Sequence, residues 1–473
     1  MFNKKILTTD FVARGKMQLD DISIPVIVHG TYNSYEPIPV SCTIAPDGRR
    51  KISKHIYSFD KIEIKATTNE GEEIRILGLE RITTSHTGSK TIWRGIAGYF
   101  IKGQLKKFSA VGSEIHCSLF IPFTPLASAD VNYMQSFDGT ITLDKDSKRE
   151  GIKWKTSLGQ AELIDNYEFV DDKVGIDKAT IRIRRCQIHL IIKPKGRVSL
   201  ENLMRKLPDS FDETLKLISF FSRKRITWYG AEIMAIPGKE NSEFRQAISY
   251  RQSWLGFQQD QGDKQTWIDM VVDLADLRSG LFEKLHENYH RSPYKTIIER
   301  TISFLLISYE QGYFESHIAN TYSALETIIA GLDSNNGDET SNSLSPGDFR
   351  RLSRKLRNVI REEVRDEQIY DGIIRKIGEL NRRPILDRLM ALLRKHEVPT
   401  EKIWPSNTDL QAELGKIIRR RNIYIHQGRI DNFEQYYDDY SRLRILIELW
   451  LLRLLECPND SINEVALRMF LRR

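Results

Sequence analysis

The chain has 473 residues, 40% hydrophobic and 29% charged, the profile of a soluble globular protein of two or three domains and not of a disordered or fibrous one. Its net charge of +7 is unevenly placed: residues 350–473 carry 26 Lys and Arg against 19 Asp and Glu, which leaves 45 of each in residues 1–349. Four scattered cysteines without a CxxC pair argue against a zinc ribbon or disulfide scaffold and fit a reducing cytoplasm, while no secretory leader or bilayer-spanning run is visible.

The first 195 residues read as strands. In 61–67, Ile62 and Ile64 alternate with Lys61, Glu63 and Lys65, the period of a half-buried strand, and 73–80, 114–123, 139–144 and 179–192 continue the pattern. In the last run the apolar positions change parity, from Ile181 and Ile183 to Ile188, Leu190 and Ile192, which predicts a bulge near Arg185 or Cys186. A β-sandwich or open barrel is expected. Ser199 then caps a helix with Leu200, Leu203, Met204 and Leu207 on one face, ended or kinked at Pro208 before a second through Phe211, Leu215, Ile218 and Phe221. Residues 225–290 are mixed in pattern.

From Ser292-Pro293 the chain reads as all helix. One helix runs to about Tyr309. The next carries Phe314, Ile318, Leu325, Ile328 and Ile329 and is expected to stop at Gly331, ahead of a Ser/Asn/Gly/Asp-rich loop at 333–348 that reads as disordered. Further helices are expected at 349–364, 384–396, 408–427 and 433–456. The fold class is therefore α+β: a β-rich N-terminal domain over 1–290 with a helical connector in 196–290, then an all-helical domain over 293–473.

No phosphate loop, nucleophile elbow or HExxH motif is present. His286 and His290 stand four apart beside Glu283 and Glu287, which fits a surface helix end better than a metal site. The candidate site is RRRNIYIHQG at 419–428, where Arg421 and His426 form an Arg-x4-His pair. Arg50/His55, Arg81/His86 and Arg184/His189 share the spacing, but those lie in strand or turn segments; only the fourth sits on a helix of the basic region, with Asn422 following the arginine. At 100° per residue Leu410, Leu414, Ile417 and Ile425 form one apolar stripe with Arg421 near its middle. A guanidinium buried there requires an anion, either an internal carboxylate, for which Glu326 is the candidate, or a phosphate. Asn422 and His426 form a polar shoulder. A histidine that moves protons near neutral pH and an arginine that holds phosphate oxygens suit attack of an RNA 2′-OH on the adjacent phosphate, with no metal or cofactor required. The competing reading makes Arg421 structural and His426 a surface residue.

The R-N-x3-H motif on the last long helix but one, together with YFESHIANTYSALETIIAGL at 313–332 and its Ala324-Leu325-Glu326 triplet, resembles the HEPN superfamily (higher eukaryotes and prokaryotes nucleotide-binding). With a β-rich half before it, the order resembles ApeA-type anti-phage proteins. The resemblance implies a C-terminal HEPN helical bundle with metal-independent endoribonuclease activity on RNA, tRNA among the candidates, in cytoplasmic abortive-infection defence. It implies Arg421 and His426 as the catalytic pair, Asn422 beside them, and Glu326 and Tyr424 in support. It further implies a homodimer or higher oligomer and an N-terminal half that senses a phage-derived trigger. The alternative is a non-catalytic RNA- or nucleotide-binding module with Arg421 structural.

Overall fold

The computed structural model describes residues 9–19, 22–32, 39–44, 62–87, 90–105, 108–109, 113–122, 124, 126, 133–135, 141–143, 151–156, 158–174, 177–194, 196–236, 245–251, 270–310, 313–336 and 342–472. Contacts group it into two units, one within 1–215, 226–267 and 277–283, the other within 216–225, 268–276 and 284–473.

The first unit is β-rich, as the alternating runs predict. β1 (Thr9–Leu19), β2 (Ile22–Tyr32), β3 (Pro39–Ile44), β4 (Glu63–Thr68), β5 (Glu73–Thr87) and β6 (Lys90–Gly103) pair antiparallel in the ring β1-β2-β3-β6-β5-β4-β1, so of the two expected forms it is the barrel that occurs, closed by hydrogen bonds. Every second residue points inward: Phe11, Ala13 and Met17 on β1, Ile24, Val26 and Val28 on β2, Ile64 and Ala66 on β4, Ile74 and Ile76 on β5 make one buried cluster. A bulge in β5 between Glu80 and Thr83 adds the local bend that closure needs.

Beyond residue 96, β6 turns its second edge to another set of strands. The sheet continues through β7 (Glu114–Ile121), β8 (Ile152–Thr156), β9 (Gly159–Val174), β10 (Asp177–Ile192), β11 (Gly230–Ile236) and β12 (Arg245–Arg251) in the order β6-β12-β11-β7-β10-β9-β8. The bulge expected near Arg185 or Cys186 is absent, because β10 pairs with β9 from Asp177 to Leu190 without a shift of register. Cys186 is instead where pairing with β7 ends, so the parity change follows a change of neighbours. Trp154, Phe211 and Phe282 are fully buried together, their rings in edge-to-face contact.

Helix α1 (Leu200–Phe221) is capped by the Ser199 hydroxyl, which accepts from the Asn202 amide at 3.3 Å, and it runs unbroken through Pro208. Its last turn and the following residues, 216–225, group with the second unit. There Arg223 reaches Glu448, which is 0% exposed: Nε at 3.1 Å and Nη2 at 2.5 Å, with the Tyr309 hydroxyl donating at 2.8 Å and Arg444 nearby at 3.4 Å. Arg444 and Glu448, one turn apart on the same helix, are partners inside the core.

The rest of the second unit is mostly helical, from residue 284 onward in α2 (Phe282–Arg291), then α3 (Lys295–Tyr309), α4 (Phe314–Asn336), α5 (Pro346–Glu363), α6 (Glu367–Ile377), α7 (Ile385–Lys395), α8 (Leu410–Gln427), α9 (Phe433–Leu454) and α10 (Glu464–Arg472). Gly331 does not stop α4. It lies where α3 crosses, and a Cβ there would meet Ile297 Cγ1 at 2.6 Å, so the residue permits close packing. Of the loop expected at 333–348, residues 333–336 are helical, with Asp333 buried against Arg388 at 2.6 Å, Ser345 caps α5, and 337–341 lie outside the described residues. His286 is buried, not at the surface, with Nε2 3.3 Å from His290 Nε2. Burial first, then the charge of His290, pulls it down to about 4. No third His, Cys, Asp or Glu among the described residues completes a metal-holding group there. The four cysteines are buried and not joined in disulfides. No helix of the described residues is long and apolar enough to cross a membrane.

Candidate active site

Helix α8 starts at an Asp409 cap, whose carboxylate accepts from the Ala412 amide, and ends at Gly428 in the left-handed conformation, φ +63°. Its first half is held by apolar packing through Leu414 and Ile417, with Gly415 against Leu386 of α7. Its second half is held by polar bonds. Arg420 donates to Asp439 of α9 through Nε at 2.5 Å and Nη2 at 2.6 Å, a two-pronged contact to a carboxylate that is 3% exposed. That hydrogen bonding holds the Arg420 guanidinium above its ordinary range, while burial pushes Asp439 up against the pull of Arg420. The Tyr436 hydroxyl donates to the Arg420 carbonyl at 3.2 Å, and the Tyr424 hydroxyl donates to the Glu315 carbonyl of α4 at 3.0 Å.

The apolar stripe therefore ends earlier than the sequence predicts. Ile425, in the last turns of α8, is 47% exposed, and Leu410, at its first residue, is half-buried, so the buried part of the stripe is Leu414 and Ile417. Arg421, expected to be buried within that stripe, is half-buried at the site's edge, its side chain 22% exposed. The expected partner is present: Nη2 forms an ion pair with Glu326 of α4, whose side chain is 42% exposed, and Nη1 donates to Asn422 Oδ1 at 3.0 Å. In the ALE triplet, Ala324 and Leu325 are buried in the core and Glu326 faces outward to this pair.

His426 lies in the last turn, exposed, with no hydrogen bond or ion pair to any described residue. Near the start of α4, Phe314, Phe433 and Tyr437 form a ring cluster with centroids 4.5 to 6.3 Å apart, and Phe433 is exposed. The structure thus gathers Arg421, Asn422 and Glu326, fixes the helix through Tyr424, and leaves His426 open to solvent. Of the other Arg-x4-His pairs, Arg81/His86 and Arg184/His189 lie on β5 and β10, and Arg50/His55 is outside the described residues.

Sequence reasoning missed Arg420 as the structural arginine. The signal was available: Asp439 lies among the hydrophobic residues of α9 and needed a cation. What remains at the surface is a guanidinium held by one carboxylate and one amide, with donors to spare, beside an unengaged imidazole. Such a set can bind a phosphate and move a proton. No family model, no curated protein and no solved structure matches this chain.

Proposed function

We propose that the chain is a metal-independent endoribonuclease of the HEPN type, acting in bacterial antiviral defence. The observation that carries the reading is the division of labour between adjacent arginines. Arg420 takes the pair with the buried Asp439, so Arg421, which among the described residues pairs with the more exposed Glu326 and with Asn422, is not needed to satisfy a carboxylate in the core. In the proposed reaction the 2′-oxygen attacks the neighbouring phosphorus as its proton is removed. The P–O5′ bond breaks, and the leaving 5′-oxygen takes up a proton, giving a 2′,3′-cyclic phosphate and a 5′-hydroxyl. Arg421 holds the phosphate oxygens through the N–H groups that Glu326 and Asn422 leave open, and His426 transfers protons. One chain offers one such histidine, so two copies with facing motifs would supply acid and base.

RNA as the substrate gains support from α5. Arg350, Arg354, Arg357 and Arg361 follow at i, i+4, i+7 and i+11, along one face of a helix that buries none of its residues. Exposed Phe433 adds a surface on which a base can stack. The test is incubation of the purified full chain with total RNA in EDTA. Cleavage with cyclic-phosphate ends that disappears in His426→Ala supports the proposal. Intact RNA retained in a shift assay by both proteins favours the non-catalytic binding module.

A further inference from the structure

The outer face of the barrel carries a second cationic site, unconnected with the ribonuclease reading. Lys16 on β1 stands directly opposite Lys65 on β4, and Lys65 stands directly opposite Arg75 on β5. Three cations thus sit in one row across three adjacent strands, within about 10 Å at the usual strand spacing. Arg14, two residues from Lys16 on the same face, adds a fourth. Like charges in cross-strand register repel, and a sheet built for stability alone avoids them.

Neighbouring carboxylates neutralise the row only in part. Glu63 is 3.3 Å from Lys65, and Glu201 is 3.6 Å from Arg75, but Arg205 also draws on both acids, at 3.9 and 2.9 Å. Arg14 and Lys16 have no ion pair or hydrogen bond among the described residues. All four cations line one depression of about 400 Å³, along with the hydroxyl-bearing Ser23 and Thr67. That volume lies in the range of small-molecule sites. The lining includes no aromatic ring, so its recognition rests on the cations that hold phosphate and not on stacking.

We propose that this depression binds a small polyphosphate-bearing ligand, such as a nucleoside polyphosphate, whose charges offset the Lys16–Lys65–Arg75 repulsion. A long nucleic acid fits less well, because backbone tracking needs an extended basic groove and these cations converge on one hollow.

The test uses the full chain and two probes, inorganic tripolyphosphate and ATP, by titration calorimetry and by thermal melting. Wild type should bind saturably and melt higher with probe. Lys16→Gln and Lys65→Gln should each weaken binding by about 10-fold or more, as loss of a charge-assisted contact does. Without probe Lys16→Gln, which gives up no ion pair among the described residues, should not melt below wild type, because a repulsive contact has been removed. Equal binding of the two probes would identify the phosphate chain as the ligand, and tighter ATP binding would add the nucleoside. The proposal is overturned by the absence of saturable binding up to about 1 mM, by variants that bind as wild type does, or by a Lys16→Gln variant that melts lower without probe. It is overturned equally if single-stranded RNA binds in a Lys65-dependent way and tripolyphosphate does not displace it.

Discussion

Replacing Arg420 and Arg421 by alanine, one at a time, separates a residue that holds the fold from one that the proposed chemistry uses. Arg420→Ala removes both hydrogen bonds from Asp439, whose carboxylate is almost wholly buried. Stranding a buried charge costs about 3–5 kcal/mol. Because the Arg420 side chain is itself 25% exposed, we take the lower end, about 3 kcal/mol. Arg421→Ala breaks a pair whose members are 22% and 42% exposed, and solvent screening limits that loss to about 1 kcal/mol. At about 2–4 °C per kcal/mol for a domain of this size, Arg420→Ala should melt about 6–12 °C lower and Arg421→Ala no more than about 4 °C lower. Thermal melts of the two variants beside wild type give the first readout, and RNA cleavage at a temperature where all three are folded gives the second. The expected result is an Arg421→Ala protein that is folded and inactive. If Arg421→Ala melts as low as Arg420→Ala, the guanidinium is structural and the argument from adjacent arginines collapses.

His426→Ala should leave the melting temperature unchanged, since the side chain makes no contact with the described residues, and lower cleavage by about 10²–10⁴-fold. His286 titrates near 6.5 when unfolded and near 4 in the fold. The folded state therefore prefers it neutral: its contribution is complete above pH 6.5 and drains away as pH falls toward 4, by about 3 kcal/mol. Denaturant midpoints measured across that window should drop accordingly, and His286→Asn should flatten the slope. Gly331→Ala drives a methyl into the γ-carbons of Ile297, and overpacking of about 1–3 kcal/mol against a helix-propensity gain of about 1 leaves a net loss near 1 kcal/mol, to be read in a melt. A fragment of residues 293–473 lacks Arg223 and leaves Glu448 without its closest partner, so by light scattering and circular dichroism it should be aggregated or poorly folded, where one that keeps 216–225 and 268–276 should not.

The barrel was legible because its strands bury one face only. Period-2 alternation at Ile62, Ile64 and Ala66 is the direct image of an inside and an outside. Ring closure was not legible, because the pairing of β3 with β6 and of β1 with β4 is a long-range choice that no local pattern carries. Helix ends failed for a related reason. Glycine at 331 reads as a stop by propensity, yet the close crossing of α3 makes it the residue that fits, and tertiary packing overrides the local preference. The parity change at Cys186 likewise reported a change of neighbouring strand, where the local rule supplied only a bulge.

At the candidate site the sequence located the helix, the arginine and the acid, and misjudged their depth. Helical-wheel geometry assumes a stripe buried along its whole length, but α8 is buried only as far as Ile417 and then depends on Arg420, Tyr424 and Tyr436 for attachment. A position 100° away from the wheel's centre thus became the partner of the buried Asp439 carboxylate, although its own side chain is 25% exposed. What sets Arg421 apart is its acid, because Glu326 is 42% exposed where Asp439 is 4%. Once its neighbour satisfies the buried charge, the second guanidinium is left where solvent and a phosphate can both reach it, and its contact with Glu326 becomes a means of aiming the side chain in place of a means of holding the helix.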